Sequence, residues 1–278
     1  MKHLTLLLAG SALMLAACGG SDPAPEPVPT PEAETPTPTP TPEETAAEDE
    51  ATPPAIEYDQ AGRTEADKAR DGDRKPQETL DFIGVEPGAI VLEMEAGGGY
   101  FTPIMAEAVG PEGMVYMQNP AAFASFWGGG EPPRLSALPD QVTYLEADFD
   151  DFSNVADGSV DVVTWFQGPH EIWYAPEGMT EQLADPDATF AEIARVLKPG
   201  GLFIALDHAA PTGAPESTGG TTHRIDPNVI DKLAASKGLT KVDESDLFAN
   251  PDDDMTSNVF DPAIRGKTNQ FLFKYEKS

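Results

Sequence analysis

IVLEMEAGGGYF, residues 90–101, joins a short apolar run to three consecutive glycines. The apolar run predicts a buried strand. Glycines that follow a strand let backbone N–H groups approach a ligand without an intervening Cβ atom. A dinucleotide fingerprint needs the pattern G-x-G-x-x-G. This stretch fails it, because the sixth residue from Gly97 is Thr102 and a count from position 95 starts on glutamate. The missing third glycine argues against a nicotinamide-dependent oxidoreductase.

Strand and helix patterns alternate around this loop. Seven short runs predict strands, namely AIVLEM, GMVYMQ, VTYLEA, SVDVVTWF, GLFIALD, TKVDESDLF and NQFLFKYEK. Helical patterns lie between them, and another over residues 64–85 precedes the first strand, with Pro76 in a first turn and Gly84 at its end. This alternation indicates a Rossmann-like, doubly wound α/β fold with a mostly parallel seven-stranded sheet. In such a sheet, ligands bind beyond the carboxyl ends of the strands.

The first 18 residues predict a secretory signal of the lipoprotein type. Lys2 precedes a largely apolar stretch over residues 4–15, and small residues then lead to Cys18. This stretch is too short to span a bilayer as a mature helix. The run LAAC resembles the bacterial lipoprotein box, which implies that Cys18, the only cysteine, is lipidated and attaches the chain to a membrane. The alternative is an ordinary cleaved signal. Because Gly19 stands where an aspartate would retain the protein inside, we expect a periplasm-facing lipoprotein of the outer membrane.

Residues 19–62 predict an extended tether, and residues 63–278 a single folded domain. Proline alternates with Thr, Ala and Glu in the tether, which has too little apolar surface to offset its chain entropy. The domain holds 16 Lys and Arg against 37 Asp and Glu, a net charge of −21. Because such a domain repels phosphates, we expect no nucleic-acid partner. Solubility is the other explanation for the charge.

The glycine loop resembles the first motif of class I S-adenosylmethionine-dependent methyltransferases, acidic-x-G-x-G-x-G. Glu93, Gly97 and Gly99 match this pattern, and Glu95 departs from it. The order of GGGY, LKPGG and DH along residues 70–278 is also similar to that of a bacterial group of predicted methyltransferases. The resemblance implies S-adenosylmethionine as cofactor and an antiparallel strand at the edge of the sheet. The loop by itself is equally consistent with a plain glycine-rich turn.

The resemblance also implies the residues that hold the cofactor. These are Glu93, Glu95, Ala96, Gly97, Gly99, Asn119, Asp148, Phe149 and Gln167. Asn119 stands at the ribose position, where the family has an acidic residue. Asp148 stands where the family holds the adenine amino group, and Phe149 lies beside the ring. The Glu95 side chain either points away, which leaves the N–H groups of residues 96–99 along the ligand, or points inward, where a carboxylate attracts the sulfonium.

Two histidines follow predicted parallel strands and are candidate catalytic residues. His170 follows the fourth strand and His208 the fifth, so both are expected to face one crevice. A histidine with a pKa near neutrality accepts a proton from a hydroxyl or amine acceptor. The alternative is that each histidine braces its own loop through a hydrogen bond. No metal ligand set is predicted.

Four further residues are candidates for binding the acceptor. The stretch 210–224 predicts a flexible lid, in which His223 closes over the acceptor and Arg224 binds an anionic group. The alternative is a solvated loop with a surface arginine. Trp173 and Tyr174 predict an apolar wall, with plain core packing as the alternative.

These patterns predict a membrane-tethered envelope enzyme that transfers a methyl group from S-adenosylmethionine to a small-molecule acceptor. The competing hypothesis is a catalytically degenerate methyltransferase fold that serves as a binding module in the envelope. Glu95 and Asn119 favour the second hypothesis, because both depart from the donor-site pattern. The compartment also favours it, because S-adenosylmethionine is made in the cytoplasm. The sequence indicates no oligomeric state.

Overall fold

A computed structural model describes residues 61–175 and 182–278. The predicted signal and all but the last two residues of the predicted tether therefore lie outside the described residues. Among the described residues, no helix has the length and apolar character needed to cross a membrane.

Seven strands form one sheet in the order β3-β2-β1-β4-β5-β7-β6. They are β1 (Ile90–Met94), β2 (Met114–Asn119), β3 (Val142–Glu146), β4 (Val160–Phe166), β5 (Leu197–His208), β6 (Leu239–Ser245) and β7 (Gln270–Lys277). The strands from β3 to β5 pair in parallel, whereas β7 pairs antiparallel with both β5 and the edge strand β6. The predicted fold class is confirmed. Because the winding reverses between β1 and β4, the loops after these two strands diverge and open a crevice at the carboxyl edge.

Seven α-helices accompany the sheet in the part of the chain that the structure describes: α1 (Glu65–Lys68), α2 (Asp71–Arg74), α3 (Pro76–Ile83), α4 (Thr102–Val109), α5 (Pro186–Val196), α6 (Thr218–Thr222) and α7 (Pro227–Ser236). The predicted helical segment 64–85 is thus split into three pieces. Lys75 adopts a left-handed conformation with φ of +44° between α2 and α3. The cause is Pro76, which disfavours right-handed helical geometry in the residue before it and then begins α3.

The sheet buries apolar side chains on both faces. In β1, Leu92 and Met94 contact one core cluster and Val91 the other, as the two-residue period of a strand requires. Trp165 of β4 is fully buried in the first cluster, beneath the carboxyl edge. A fully buried side chain such as that of Leu92 contributes about 1.5–3 kcal/mol. The loops above the edge therefore rest on a well-packed base.

Candidate functional site

The loop between β1 and α4 is folded by hydrogen bonds to the end of β2. Four of its backbone N–H groups donate hydrogen bonds within the protein: Glu95 N–H to Gln118 Oε1, Ala96 N–H to Gln118 O, Gly97 N–H to Asn119 Oδ1, and Gly99 N–H to Ala96 O. Within the described residues, only the N–H of Gly98 has no protein acceptor among these five positions. In the alternative with Glu95 pointing away, the N–H groups of residues 96–99 line a ligand, but three of these four groups are engaged inside the protein. Turns this tight satisfy their donors internally.

Asn119 closes the loop from the last position of β2. Its fully buried side chain accepts a hydrogen bond from Gly97 N at 2.7 Å and donates one to Gly97 O at 3.1 Å. An amide carries both a donor and an acceptor and so matches both polar groups of the glycine, which a carboxylate does not. Asn119 thus holds the glycine loop in shape, in place of the ribose contact predicted for this position.

Glu95 has a backbone conformation that favours glycine. Its φ is +51°, close to the +57° of Gly97, and a side chain in this region costs about 1–2 kcal/mol. The side chain turns inward along the carboxyl edge, where Oε2 accepts a hydrogen bond from Trp165 Nε1 at 2.8 Å. Burial, and then the nearby carboxylate of Glu171, raise the pKa of Glu95 well above its usual range. The side chain thus points into the protein, toward Trp165.

A cavity of about 260 Å³ lies against the glycine loop. Among the predicted cofactor residues, its walls contain Glu93, Glu95, Ala96, Gly97 and Gln167. Burial raises the pKa of Glu93 to about 7, although Thr102 Oγ1 donates a hydrogen bond to this carboxyl at 2.6 Å. Gly99 lies behind the loop, where an added Cβ would come within 2.9 Å of Met117 Cε. We call this space the donor cavity.

Two arginines that the sequence analysis did not select form the opposite wall of the donor cavity. The guanidinium carbons of Arg70 and Arg74 lie 5.4 and 5.2 Å from the ring centre of Tyr100. Neither arginine forms an ion pair within residues 61–175 and 182–278. Burial, and then the positive charge of Arg70, lower the pKa of Arg74 to about 10. Their i, i+4 spacing in a predicted helix was a signal that could have found them, because such residues share a helix face.

A larger cavity of about 600 Å³ shares Arg70, Arg74 and Gln167 with the donor cavity. Its remaining walls include His208, Phe260 and Arg265. Three arginines and one acidic residue, Asp73, line it, although the domain as a whole is strongly acidic. We call this space the acceptor cavity. Its walls favour an anionic occupant.

His208 lies in the acceptor cavity as predicted, and its Nδ1 is 2.7 Å from Thr268 Oγ1. Burial, and then the positive charge of His170, lower the pKa of His208 well below its usual range. A neutral imidazole that is already oriented by a hydroxyl can accept a proton. The second predicted catalytic residue, His170, is only 2% exposed and lines neither cavity.

His170 belongs to a buried polar cluster at the ends of β4 and β5. Its Nδ1 lies 2.8 Å from Asp207 Oδ1, and its Nε2 lies 3.2 Å from both Glu171 Oε1 and His223 Nδ1. Burial opposes protonation, but Asp207 and then Glu171 outweigh it and raise the pKa of His170 to about 10. This geometry matches the bracing alternative for His170, not a base that faces an acceptor.

The stretch predicted as a lid is ordered. Residues 218–222 form α6, and Ala209 pairs with Ile225 in an isolated bridge. Arg224 is fully buried and forms a two-pronged ion pair with Asp253, with N–O distances of 2.8 and 3.0 Å. The predicted role of Arg224 in binding an anionic acceptor does not fit the structure, because its guanidinium is buried and already paired with Asp253.

The other predicted acceptor residues lie beside the His170 cluster. Trp173 is half-buried and packs against the first core cluster. This agrees with the alternative of core packing for Trp173. The Tyr174 ring centre lies 5.4 Å from that of His223, which in turn lies 4.8 Å from Phe260 of the acceptor cavity. Tyr174 and His223 thus do not line the acceptor cavity themselves, and His223 contacts it through Phe260.

The predicted adenine-binding residues lie at the end of β3. Asp148 lines a shallow cavity of about 230 Å³. Burial, and then Asp150 and Asp151, raise the pKa of Asp148. Phe149 is buried and packs on Trp165 with ring centres 4.9 Å apart, so it supports the loop from the core instead of lying open beside a base.

Comparisons with known proteins agree with this architecture. Residues 92–205 match a family model described as "Methyltransferase domain". This stretch of 114 residues carries the chain's similarity to methyltransferases. The ubiquinone/menaquinone biosynthesis C-methyltransferase UbiE of Idiomarina loihiensis is 29% identical over 136 residues, which are 49% of each chain. The chain thus spans about half the length of the curated relatives it matches.

Two solved structures show the extent of the fold similarity. Geranyl diphosphate C-methyltransferase from Streptomyces coelicolor A3(2), solved with Mg²⁺, geranyl-S-thiolodiphosphate and S-adenosyl-L-homocysteine, has a TM-score of 0.54 at 17% identity. The match covers 74% of this chain and 76% of that one. The [4+2]-cyclase SpnF has a TM-score of 0.51 at 16% identity, covering 80% and 86%. The fold of this chain is therefore similar to that of a methyltransferase and also to that of a cyclase.

Proposed function

We propose that this protein transfers a methyl group from S-adenosylmethionine to a small anionic acceptor. The observation that carries the proposal is the donor cavity, which lies between the glycine loop and Arg74 at the switch point between β1 and β4. This is where ligands bind in doubly wound sheets. The methyltransferase domain match covers the same loop.

The charges of the donor cavity suit the methionine part of S-adenosylmethionine. That part carries a carboxylate, an ammonium and a sulfonium. Arg74 offers a guanidinium that is not paired within the described residues and binds the carboxylate through charge-assisted hydrogen bonds. Glu93 and Glu95 lie on the loop side, where they accept hydrogen bonds from the ammonium and face the sulfonium. The adenosine part extends past the β2 end toward Asp148.

The acceptor cavity supplies the second substrate site. Because it shares Arg70, Arg74 and Gln167 with the donor cavity, an acceptor bound there lies next to the methyl group. Arg265 and Arg70 attract an anionic group, such as a carboxylate or phosphate. His208 accepts a proton from the acceptor if it arrives protonated. Methyl transfer is an in-line displacement, so alignment across the shared wall contributes most of the rate.

A binding module without catalysis is the second candidate function. The observation that favours it is the glycine loop itself: four of its five N–H groups are satisfied inside the protein, and Glu95 stands at a conformation suited to glycine. The cyclase SpnF shows that this fold also serves another chemistry. In this case the cationic acceptor cavity binds an anionic ligand, and no methyl group is transferred.

The location of the protein is part of the proposal. The LAAC run and the proline-rich segment support a lipid anchor at Cys18, a tether over residues 19–62 and a periplasm-facing domain at the outer membrane. Mass spectrometry of the membrane fraction should find a diacylglyceryl group on the cysteine, and Cys18→Ser should release the protein from membranes. An unmodified Cys18 in membrane-free protein would exclude the anchor.

Calorimetry on the full chain with S-adenosylhomocysteine and S-adenosylmethionine tests the activity. We expect Arg74→Gln to weaken both ligands about 10–100-fold, since it removes a charge-assisted hydrogen bond worth about 1.5–3 kcal/mol. Arg265→Gln is the matched control, because Arg265 lines only the acceptor cavity, and it should leave both affinities unchanged. Absence of heat with either ligand would eliminate the enzyme proposal and leave the binding module.

A further inference from the structure

Three side chains from two segments converge on one point beside the acceptor cavity. His170 Nε2, Glu171 Oε1 and His223 Nδ1 lie 3.1–3.2 Å from one another. His170 and Glu171 belong to a short 3₁₀ helix after β4, Pro169–Trp173, and His223 follows α6. His223 lies 53 residues after His170 in the chain, which is why the sequence predicted no metal ligand set.

The ring of His170 is held as in many metal sites. Its Nδ1 lies 2.8 Å from Asp207 Oδ1, and its backbone N–H donates to Asp207 Oδ2 at 2.7 Å. A carboxylate at Nδ1 keeps a proton on that nitrogen, so the ring nitrogen available to a metal is Nε2, which is directed at Glu171 and His223. Metal-binding histidines commonly have this carboxylate partner on the other ring nitrogen.

Close backbone packing brings His223 to the other two ligands. An added Cβ on Gly219 would lie 2.5 Å from His170 O, and one on Gly220 would lie 2.5 Å from Trp173 O. α6 can therefore approach the 3₁₀ helix only because both positions are glycine. His223 itself has a φ of +55°, a left-handed conformation that is uncommon for residues other than glycine. Outliers of this kind concentrate at functional sites.

The local charge also suits a cation. Three enclosed carboxylates, those of Glu95, Glu171 and Asp207, surround His170. No Lys or Arg forms an ion pair with any of the three in the part of the chain that the structure describes. Buried carboxylates are costly unless they are paired or coordinate a metal. His170 lies against Glu171 and Asp207, and a divalent ion at the His170, Glu171 and His223 donors would pair with the same carboxylates.

We propose that His170 Nε2, Glu171 Oε1 and His223 Nδ1 bind one divalent transition-metal ion. Two imidazoles and one carboxylate suit zinc or iron(II), with the remaining coordination positions left for water or a ligand. With metal–ligand bonds of ~2.1 Å, donors at these separations subtend about 95–99° at the ion, between octahedral and tetrahedral values. The site is a neighbour of the acceptor cavity through Phe260, and it does not rest on the proposed methyl transfer.

The test is zinc binding by the full chain after treatment with a chelator. Zn²⁺ is titrated by calorimetry, and bound zinc is measured by mass spectrometry after desalting. The wild-type protein should bind one Zn²⁺ per chain. His223→Asn and Glu171→Gln should each weaken binding ~100-fold or more, beyond the 10–100-fold cost of losing an outer-shell partner. Asparagine tolerates a positive φ, so His223→Asn keeps the backbone conformation.

The matched control is His208→Gln, which removes a neighbouring histidine whose ring centre lies 6.0 Å from that of His170. It should retain wild-type zinc affinity. Circular dichroism of all variants without metal establishes that they are folded, and a rise in melting temperature with Zn²⁺ should occur only in the wild type and His208→Gln. No zinc on the wild-type protein, equal zinc on His223→Asn and Glu171→Gln, or equal loss in His208→Gln would each overturn the assignment.

Discussion

Two neighbouring regions of the carboxyl edge handle buried charge in different ways. Around the donor cavity, Arg70 and Arg74 face open space and form no ion pair within the described residues. Around His170, every polar group meets another at hydrogen-bonding distance. Cationic side chains that line a cavity and form no ion pair favour an anionic ligand there. Polar groups that converge on one another indicate a brace or a single ion.

The largest expected effect on stability concerns Arg224. Its buried ion pair with Asp253 is structural, in contrast to the charges of the two regions above. Arg224→Ala leaves Asp253 as a buried, unpaired carboxylate and should lower the free energy of unfolding by about 3–5 kcal/mol. Urea denaturation measures it. Arg195→Ala, which breaks partly exposed pairs with Asp157 and Glu192, is the control and should cost about 0–1 kcal/mol per pair. An Arg224→Ala protein of full stability that lost only ligand affinity would restore the predicted lid role.

Glu93 should make the donor region sensitive to pH. Its pKa is raised from 4.5 to about 7 in the folded protein, so the native state holds a proton that the unfolded chain has lost. Stability from this group is complete below pH 4.5 and falls as the pH rises through 7, by up to about 3 kcal/mol. Glu93→Gln removes the effect, so its stability relative to wild type should rise between pH 5 and 8.

Urea denaturation at several pH values gives this difference directly. Glu192→Gln is the control. The hydrogen bond from Arg195 lowers the pKa of Glu192, so the stability that Glu192 contributes changes with pH only below about 4.5. The stability difference between Glu192→Gln and wild type should therefore be constant between pH 5 and 8. A flat difference for Glu93→Gln as well would mean that the Glu93 carboxyl is hydrated in the folded protein.

Gly168 tests whether the Glu95 side chain connects the two regions. An added Cβ would lie 2.0 Å from Glu95 Oε2 and 2.2 Å from Trp165 Nε1, so Gly168→Ala should cost about 1–3 kcal/mol through overpacking. In Gly98→Ala the added Cβ meets nothing within 4 Å, and this control should change stability little. Equal melting temperatures for the two variants would show that the Glu95 carboxyl does not occupy the inward position.

The smallest expected effect separates two ligands that differ in one charge. S-adenosylmethionine carries a sulfonium, and S-adenosylhomocysteine does not. If the Glu95 carboxyl faces the sulfonium, Glu95→Gln should weaken S-adenosylmethionine by about tenfold, or 1.4 kcal/mol, and S-adenosylhomocysteine much less. Calorimetry with both ligands measures the ratio. An equal change for both would show that Glu95 acts through shape and not through charge.

Local patterns were sufficient for the elements of this fold. The apolar runs predicted all seven strands, and Pro76 and Gly84 marked the two ends of α3. The glycine loop and His208 were also found correctly at the carboxyl edge. These predictions succeeded because periodicity and turn chemistry act over a few neighbouring residues. The match to a methyltransferase domain over residues 92–205 agrees with the motif at Glu93 and Gly97.

The sequence by itself thus determined the fold class, the glycine loop after β1 and the net negative charge of the domain. Only the tertiary structure decided how each polar side chain is used. Arg224 pairs with Asp253, 29 residues away, and His223 meets His170 across 53 residues. Arg74 is left facing a cavity. The physical reason is that hydrogen bonds and ion pairs depend on distances of about 3 Å, and those distances are set by packing between segments that lie far apart in the chain.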